Sequence, residues 1–368
     1  MKKNLKAIKV CALLAFLIFN NELIFSQASD VGKFMTGGAD DAGKILGAYI
    51  KPYANAFGYN MTAGWYNTAK VHSFLGFDIT LTANITFVPT EDKSFDVKAL
   101  GLSSNASVGT PSIAPTIAGD NNYGPAITYT TNGHKIISYN TPKGTNLGFI
   151  PLPMLQAGLG LIKGTVIIGR FMPSISIGSG GESKIGLWGI GLEHSIKQWI
   201  PAVDDIPFLN LSIIGGYSRL HMVSNINLDP TGSLYTDNFI FPTDTVKNMN
   251  FSDQKMDLLV TSFTANAIVS IDIPLITVYA GLGISSTSSD LKLLGNYAIP
   301  QHYNVPQSRV DIFVSDVKKD PVSIAFKGGT KPRLNIGAKI KMGVVHLHFD
   351  YTYANYSIAT VGLGVSFR

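Results

Sequence analysis

Thiols are almost missing from this 368-residue chain: its single cysteine, Cys11, sits in the first apolar run. With that run set aside none is left, which excludes disulfides, thiolate metal sites and a cysteine nucleophile. Charge is scarce too, because Asp, Glu, Lys and Arg make up 14% of the sequence against about 25% in an ordinary soluble domain. Long apolar runs are also absent. Beyond the run from Val10 to Phe19, no stretch reaches the roughly 20 apolar residues that a membrane-crossing helix needs. A chain of this kind has one route left across a bilayer, since only helices and closed β-barrels satisfy every backbone group there.

What is present begins with a leader. Lys2, Lys3, Lys6 and Lys9 precede the apolar run, and Ser26 and Ala28 follow it. This order predicts a secretory signal peptide over 1–28, cleaved near Ser26 or Ala28, and with it export to the cell outer membrane. Its loss removes those lysines and Glu22, lowering the formal charge from +5 to +2. So small an excess gives no case for nucleic acid as a partner.

Strict alternation then appears. Phe77, Ile79, Leu81, Ala83, Ile85 and Phe87 share one face, and Asp78, Thr80, Thr82, Asn84 and Thr86 the other. Val345, Leu347, Phe349, Tyr351 and Tyr353 oppose His346, His348, Asp350 and Thr352, and the same logic holds over 333–341 and 359–367. Weaker versions recur near 153–161, 164–172, 184–196, 207–222, 253–271 and 275–289, with a change of phase between Leu187 and Trp188 that suggests a bulge. Apolar side chains toward lipid and polar ones toward a lumen predict an all-β, antiparallel transmembrane β-barrel. The hairpin candidate at 126–140, turning at Asn132-Gly133, belongs either to an external loop or to the wall. The expected count is therefore 10–12 strands, with 14 as its upper bound.

The connections support this, because such barrels join long external loops to short periplasmic turns. Long connections fall at 88–152, 223–252 and 290–330, with a shorter one at 173–183, and tight ones at Lys163, 272–274 and Met342. The chain thus divides into a signal peptide at 1–28, a helical plug or periplasmic segment at 29–70, and a barrel at 71–368. Within 29–70, Ile45, Leu46 and Tyr49 fall on one side of a short amphipathic helix expected to end near Pro52. Its expected place is the periplasmic mouth or the lumen.

The stretches "MTAGWYNTAKVHSFLGFDITL" (61–81), "GLGLIKGTVIIGRFMP" (158–173) and "GIGLEHSIKQWIP" (189–201) resemble an uncharacterised family of Bacteroidota outer-membrane β-barrels. That family is similar in plan to the outer-membrane long-chain fatty-acid transporters. The resemblance implies location and fold and supplies no activity or binding residue. Outer-membrane barrels commonly end in an aromatic read by the insertion machinery, and here Phe367 is penultimate before Arg368.

Alternation places Asp78, Arg170, Glu193, Arg333, Lys339, His346, His348 and Asp350 on the lumen face. His346, His348 and Asp350 lie about 7 Å apart along one strand, so they read as polar lining or, as the sharper alternative, a metal or proton site. The inward charges tune a pore or simply pair across it. Glycines also line the inner face, among them Gly158, Gly191, Gly281, Gly337, Gly362 and Gly364. They leave room for a plug or ligand, or serve curvature. Trp65, Trp188, Trp199, Tyr351 and Tyr353 read as membrane-interface anchors. No catalytic constellation, metal site or cofactor follows, because His194 and Ser195 are adjacent and face opposite sides of a strand. The resulting expectation is a narrow or plugged channel, in contact with outer-membrane lipid, for a small and in one reading hydrophobic ligand. The alternative is a structural or adhesive surface protein that displays its long loops.

Overall fold

A computed structural model describes residues 35, 38–131, 133–177, 183–226, 239–240, 249–299, 302–304, 311–313 and 316–367. Residues 1–28, expected from sequence to be a signal peptide, and most of the connection at 223–252 lie outside the described residues. A helix, α1 (Ala39–Asn60), precedes ten wall strands: β1 (Phe77–Phe87), β2 (Phe149–Gly160), β3 (Thr165–Ile177), β4 (Ser183–Ser195), β5 (Leu209–Asn225), β6 (Lys255–Asp272), β7 (Ile276–Leu294), β8 (Val322–Met342), β9 (Val345–Tyr353) and β10 (Ile358–Phe367). Each pairs antiparallel with its sequence neighbour, and β1 closes on β10 from Phe77–Phe367 to Thr86–Ile358. The chain is an antiparallel transmembrane β-barrel of ten strands. Among the described residues no helix is long and apolar enough to cross a membrane.

Connections alternate as the barrel requires. Connections at 161–164, 273–275 and 343–344 are tight and share one end, the short-turn end, with the longer 196–208, while 88–148, 226–254 and 295–321 lie at the long-loop end together with the short connections 178–182 and 354–357. The hairpin Ala126–Thr131 and His134–Asn140 pairs with Ala106–Val108 in a separate sheet, so it adds nothing to the wall. Outside that end the exposed face is apolar: Leu81, Ile190, Ile336, Phe349 and Leu363 are all more than a third exposed. Each such residue alternates with an inward polar or glycine residue, the pattern of a wall between lipid and lumen.

Toward the long-loop end the polarity inverts. Ile185 and Leu187 on β4, Leu220 on β5, Val260 on β6, Leu291 and Leu293 on β7 and Phe326 on β8 point inward and are buried. Lys184, His221, Asp290, Lys292 and Lys327 point outward. The expected bulge at Leu187–Trp188 is therefore a misreading, because β4 keeps one phase throughout. The irregularity lies on β3 between Met172 and Ile175. The same inversion makes β7 and β8 longer than their expected spans of 275–289 and 333–341: their outer ends meet water outside and apolar side chains inside.

Those inward apolar residues enclose α1. Ile45, Leu46, Tyr49, Tyr53, Ala54, Ala56 and Phe57 of the helix share one core with Leu152, Met154, Leu187, Leu220, Val260, Leu291 and Phe326 of the wall. The helix does not stop near Pro52, which is buried inside it. An interior proline costs about 3 kcal/mol, and burial of the helix on several sides outweighs it, since one buried Leu or Phe contributes about 1.5–3 kcal/mol. Gly58 lets the helix touch β7: a Cβ there would stand 2.8 Å from Thr287. The N-terminus carries Asp40 and Asp41, whose charge suits the positive end of the helix dipole. Asp41 also accepts hydrogen bonds from Ser103 N (3.0 Å) and Tyr129 Oη (3.1 Å), which ties α1 to the long connection after β1. The helix thus sits at the long-loop end and away from the short-turn mouth.

Candidate functional site

From Met61 the chain leaves the helix and runs down the lumen to Gly76, where β1 begins at the short-turn end. This strap and α1 fill the barrel. Asn60 starts the descent by donating from Nδ2 to the carbonyls of Asn84 (3.2 Å) and Ile150 (3.0 Å). Asn84 answers with bonds to the carbonyls of Asn60 (2.9 Å) and Ala63 (3.2 Å).

Two arginines hold the next residues. Arg170 on β3 donates to the Met61 carbonyl (3.0 Å), the Ala63 carbonyl (2.8 Å) and Gln156 Oε1 (2.8 Å), and its guanidinium lies 3.6 Å from the Trp65 ring centre. Arg333 on β8 donates to the Thr62 carbonyl, to Thr264 Oγ1 (3.0 Å) and to Thr352 Oγ1 (3.2 Å). Both are 3% exposed, and in the closed strand order four strands lie between β3 and β8 in either direction. Three successive carbonyls are therefore clamped from opposite walls. A guanidinium suits this task, since its fixed fork of donors can serve several acceptors at once while remaining charged.

The glycines make room for the strap. A Cβ on Gly191 or Gly216 would stand 2.6 Å from the Trp65 ring, and one on Gly281 would collide with the Tyr66 hydroxyl. Trp65, read from sequence as an interface anchor, is instead 1% exposed inside the lumen. Of the other aromatics, Trp188 lies on the outer wall against Tyr217 (5.8 Å between rings) and Trp199 in the short-turn connection 196–208. Tyr351 and Tyr353 face outward on β9, 46% and 70% exposed.

Below the clamp the strap meets a polar belt near the short-turn end. Thr68 Oγ1 donates to Asp272 (3.0 Å), Lys339 Nζ to Asn67 Oδ1 (2.8 Å), and His72 Nε2 bonds Asp78 Oδ1 (2.8 Å). Glu193 accepts from Ser212 Oγ at 2.6 Å. His346 lies 3.5 Å from Asn67 and 3.4 Å from Thr80, with its ring centre 6.1 Å from that of His348. Asp350 turns elsewhere, to Asn335 Nδ2 (2.8 Å) and Tyr279 Oη (3.1 Å). His346 and His348 thus adjoin each other, while Asp350 bonds to other side chains. Among the described residues no group of three or more His, Cys, Asp or Glu side chains converges on a metal position. A cavity of about 30 Å³ remains between Trp65, His72, Asp78, Glu193 and Lys339, room for about one water.

Sequence reasoning set the inward charges on the lumen face and did not single out Asn60, which binds the wall carbonyls of Asn84 and Ile150, or Asn84 and Gln156, which donate to the strap carbonyls of Ala63 and Trp65. Gln156 and Asn84 lie on the inward face of alternating segments, and that periodicity is the signal that finds them.

A family of unknown function, DUF6588, matches residues 1–367 of the chain. No curated protein matches. Among solved structures, the chain is similar to the outer membrane protease OmpT from Escherichia coli, at 6% identity over 82% of this chain and 100% of that one, TM-score 0.31. It is similar to the transport unit of the autotransporter AIDA-I from Escherichia coli, at 6% identity over 86% and 99%, TM-score 0.32. A third is the Ralstonia pickettii toluene transporter TbuX, at 7% identity over 82% and 91%, TM-score 0.23. At these values nothing of those proteins' activities transfers to this chain.

Proposed function

The chain belongs to this family of unknown function, and from the barrel itself we propose that it is a plugged outer-membrane conduit for a small ligand. Its gate is its own N-terminal segment. The observation that carries this reading is the clamp: Arg170 and Arg333, buried on opposite walls, hold the carbonyls of Met61, Thr62 and Ala63 across the lumen. A bonded connection of this kind is fixed while intact and leaves a passage when broken. Ten strands suit a narrow passage, between the filled interior of about eight and the open channel of about 16. A hydrophobic ligand is in keeping with the plan-level resemblance to fatty-acid transporters, and its path opens only when the strap and α1 give way.

The proposal includes export through the leader, outer-membrane lipid around the apolar band, and recognition of β10 with Phe367 by the insertion machinery. It assigns no catalytic activity, cofactor or nucleic acid partner. Loop display is the weaker reading, because the connection 88–148 folds back as a cap: Tyr49 Oη donates to the Lys143 carbonyl (2.8 Å), and Ile117 N to the Tyr49 carbonyl (3.1 Å).

Removing residues 29–70 is expected to convert a silent barrel into a conducting one in planar bilayers, and to admit small solutes to loaded vesicles. Silence in both assays, from a barrel that still inserts, would refute the gate.

A further inference from the structure

The shortest ladder in the wall is that between β2 and β3. It spans six residue pairs, from Gly160–Val166 to Leu155–Phe171. Beyond it β2 continues to pair with β1 as far as Phe149, and β3 with β4 as far as Ile177, yet 149–154 and 172–177 do not pair with each other. Six unpaired residues open roughly 20 Å of strand edge.

The sequence explains the opening. A proline within a sheet must turn its missing donor away from its hydrogen-bonded partner. Pro151 and Pro153 fit the ladder with β1, opposite Ile85 and Ala83, and offer no N–H toward β3. Continuing the register would set Pro153 against Pro173, two residues without a donor. The irregularity between Met172 and Ile175 then bends β3 away from this edge.

On its β2 side the open edge lies within the apolar band, and on its β3 side it runs up to Ser176, which pairs with the outward Lys184. Phe87 and Phe149 above it and Leu81 and Leu155 below it are all about 40–50% exposed. Behind it stand Leu152, Met154 and Met172, 1%, 2% and 5% exposed in the core that includes α1. On the outer face just below lies an apolar hollow of about 640 Å³ bordered by Ile79, Leu159, Trp188 and Ile190. Its floor is the opposed pair Ala157 and Gly169, and a Cβ on Gly169 would meet nothing. In hydrocarbon an orphan N–H costs several kcal/mol, and Pro151, Pro153 and Pro173 each remove one donor from this edge.

We infer that the β2–β3 seam is a binding site for an acyl chain of a membrane lipid. The chain lies over Ala157 and Gly169, and its end passes between the strands to Leu152, Met154 and Met172. A bilayer lipid is the fitting occupant because the hollow and the β2 side of the edge are apolar, face the bilayer and are continuous with the band that lipid tails cover. The site does not depend on movement of the strap, so its test needs no conductance.

The full chain, reconstituted in phosphatidylcholine vesicles containing a minor share of phosphatidylcholine with a diazirine near the tail end, is irradiated and its adducts are mapped by mass spectrometry. Adducts are expected on the inward Leu152, Met154 and Met172 as well as on outward residues such as Val361 and Leu363, which report bulk lipid. Replacing the three prolines by valine (P151V, P153V, P173V) restores donors and lets the ladder extend. Labelling of the inward three should then fall about tenfold, the loss expected when roughly two methylenes no longer reach an apolar site, with Val361 and Leu363 unchanged. If the variant does not fold, the native map decides alone. Native protein labelled only on outward residues overturns the inference. So does inward labelling that survives in a folded variant, or cross-linked pairs of chains at the seam in place of lipid adducts, which would give the hollow to a second copy.

Discussion

A chain carrying Arg170→Ala and Arg333→Ala together is expected to conduct ions in planar bilayers where the native chain is silent. Each arginine sits on the inner wall and donates to the backbone of the strap, so its loss removes nothing from the strand ladders. It leaves the carbonyls of Met61, Thr62 and Ala63 buried without their donors. An unsatisfied buried acceptor costs about 1–3 kcal/mol, and Arg170 also loses its stacking on Trp65. Three such losses in one short segment favour release of the strap toward the short-turn mouth. Single variants should conduct intermittently, because the opposite arginine still holds. Lysine at either position keeps the charge and loses the fork of donors, so it should rescue only in part. A double variant that is folded, inserted and silent would show that the clamp does not hold the gate.

The second large effect concerns the inverted half of the barrel. Leu220→Ala and Leu291→Ala are each expected to destabilise the protein by about 2–5 kcal/mol, the cost of a cavity in a packed core. Both side chains are fully buried in the core that includes α1. Their neighbours Asp290 and Lys292 point outward, and their replacement by alanine should stay within about 0.5 kcal/mol. Urea unfolding midpoints in one lipid or detergent settle the comparison. The opposite ranking would mean that the lumen at this level is solvent-filled and that α1 does not share the core.

This inversion also marks the limit of what the sequence discloses. The alternation at 77–87, 345–353 and 359–367 follows from a wall between lipid and lumen, and the seam from Phe77–Phe367 to Ile85–Ala359 is the closure that pattern implies. The alternation alone leaves the count at 10–12 strands, with 14 as its upper bound, and the structure gives ten because the Asn-Gly hairpin at 126–140 pairs outside the wall. The reading stops where its premise stops. Once Ser286, Ser288, Asp290 and Lys292 leave the bilayer, their outward face meets water, and the inward face turns apolar only because α1 is there to meet it. Nothing in the period-2 pattern of β7 announces a helix from 240 residues earlier.

The site is legible to a similar depth. Arg170, Arg333 and Lys339 stand on inward positions by alternation alone. Their partners are not readable, because Arg170 and Arg333 bind backbone carbonyls, which every residue carries, and so leave no complementary acidic residue in the sequence. Trp65 was misplaced for a related reason: an aromatic just before the first strand resembles a girdle residue unless the glycines facing it, Gly191 and Gly216, are known to be its neighbours. Pro52 predicts a helix end from local propensity, and burial in the lumen overrides it.

Cys11 is the single native cysteine, so with Cys11→Ser as the background one introduced thiol reports alone. Thr82 is 1% exposed on the inner face of β1, beside Gly64 of the strap. With Thr82→Cys in vesicles, a membrane-impermeant maleimide applied to either side should fail to react while Arg170 and Arg333 are intact, and should react once both are alanine. Ready labelling of Thr82→Cys in the otherwise native chain would contradict the account, because it would place water where the clamped strap stands.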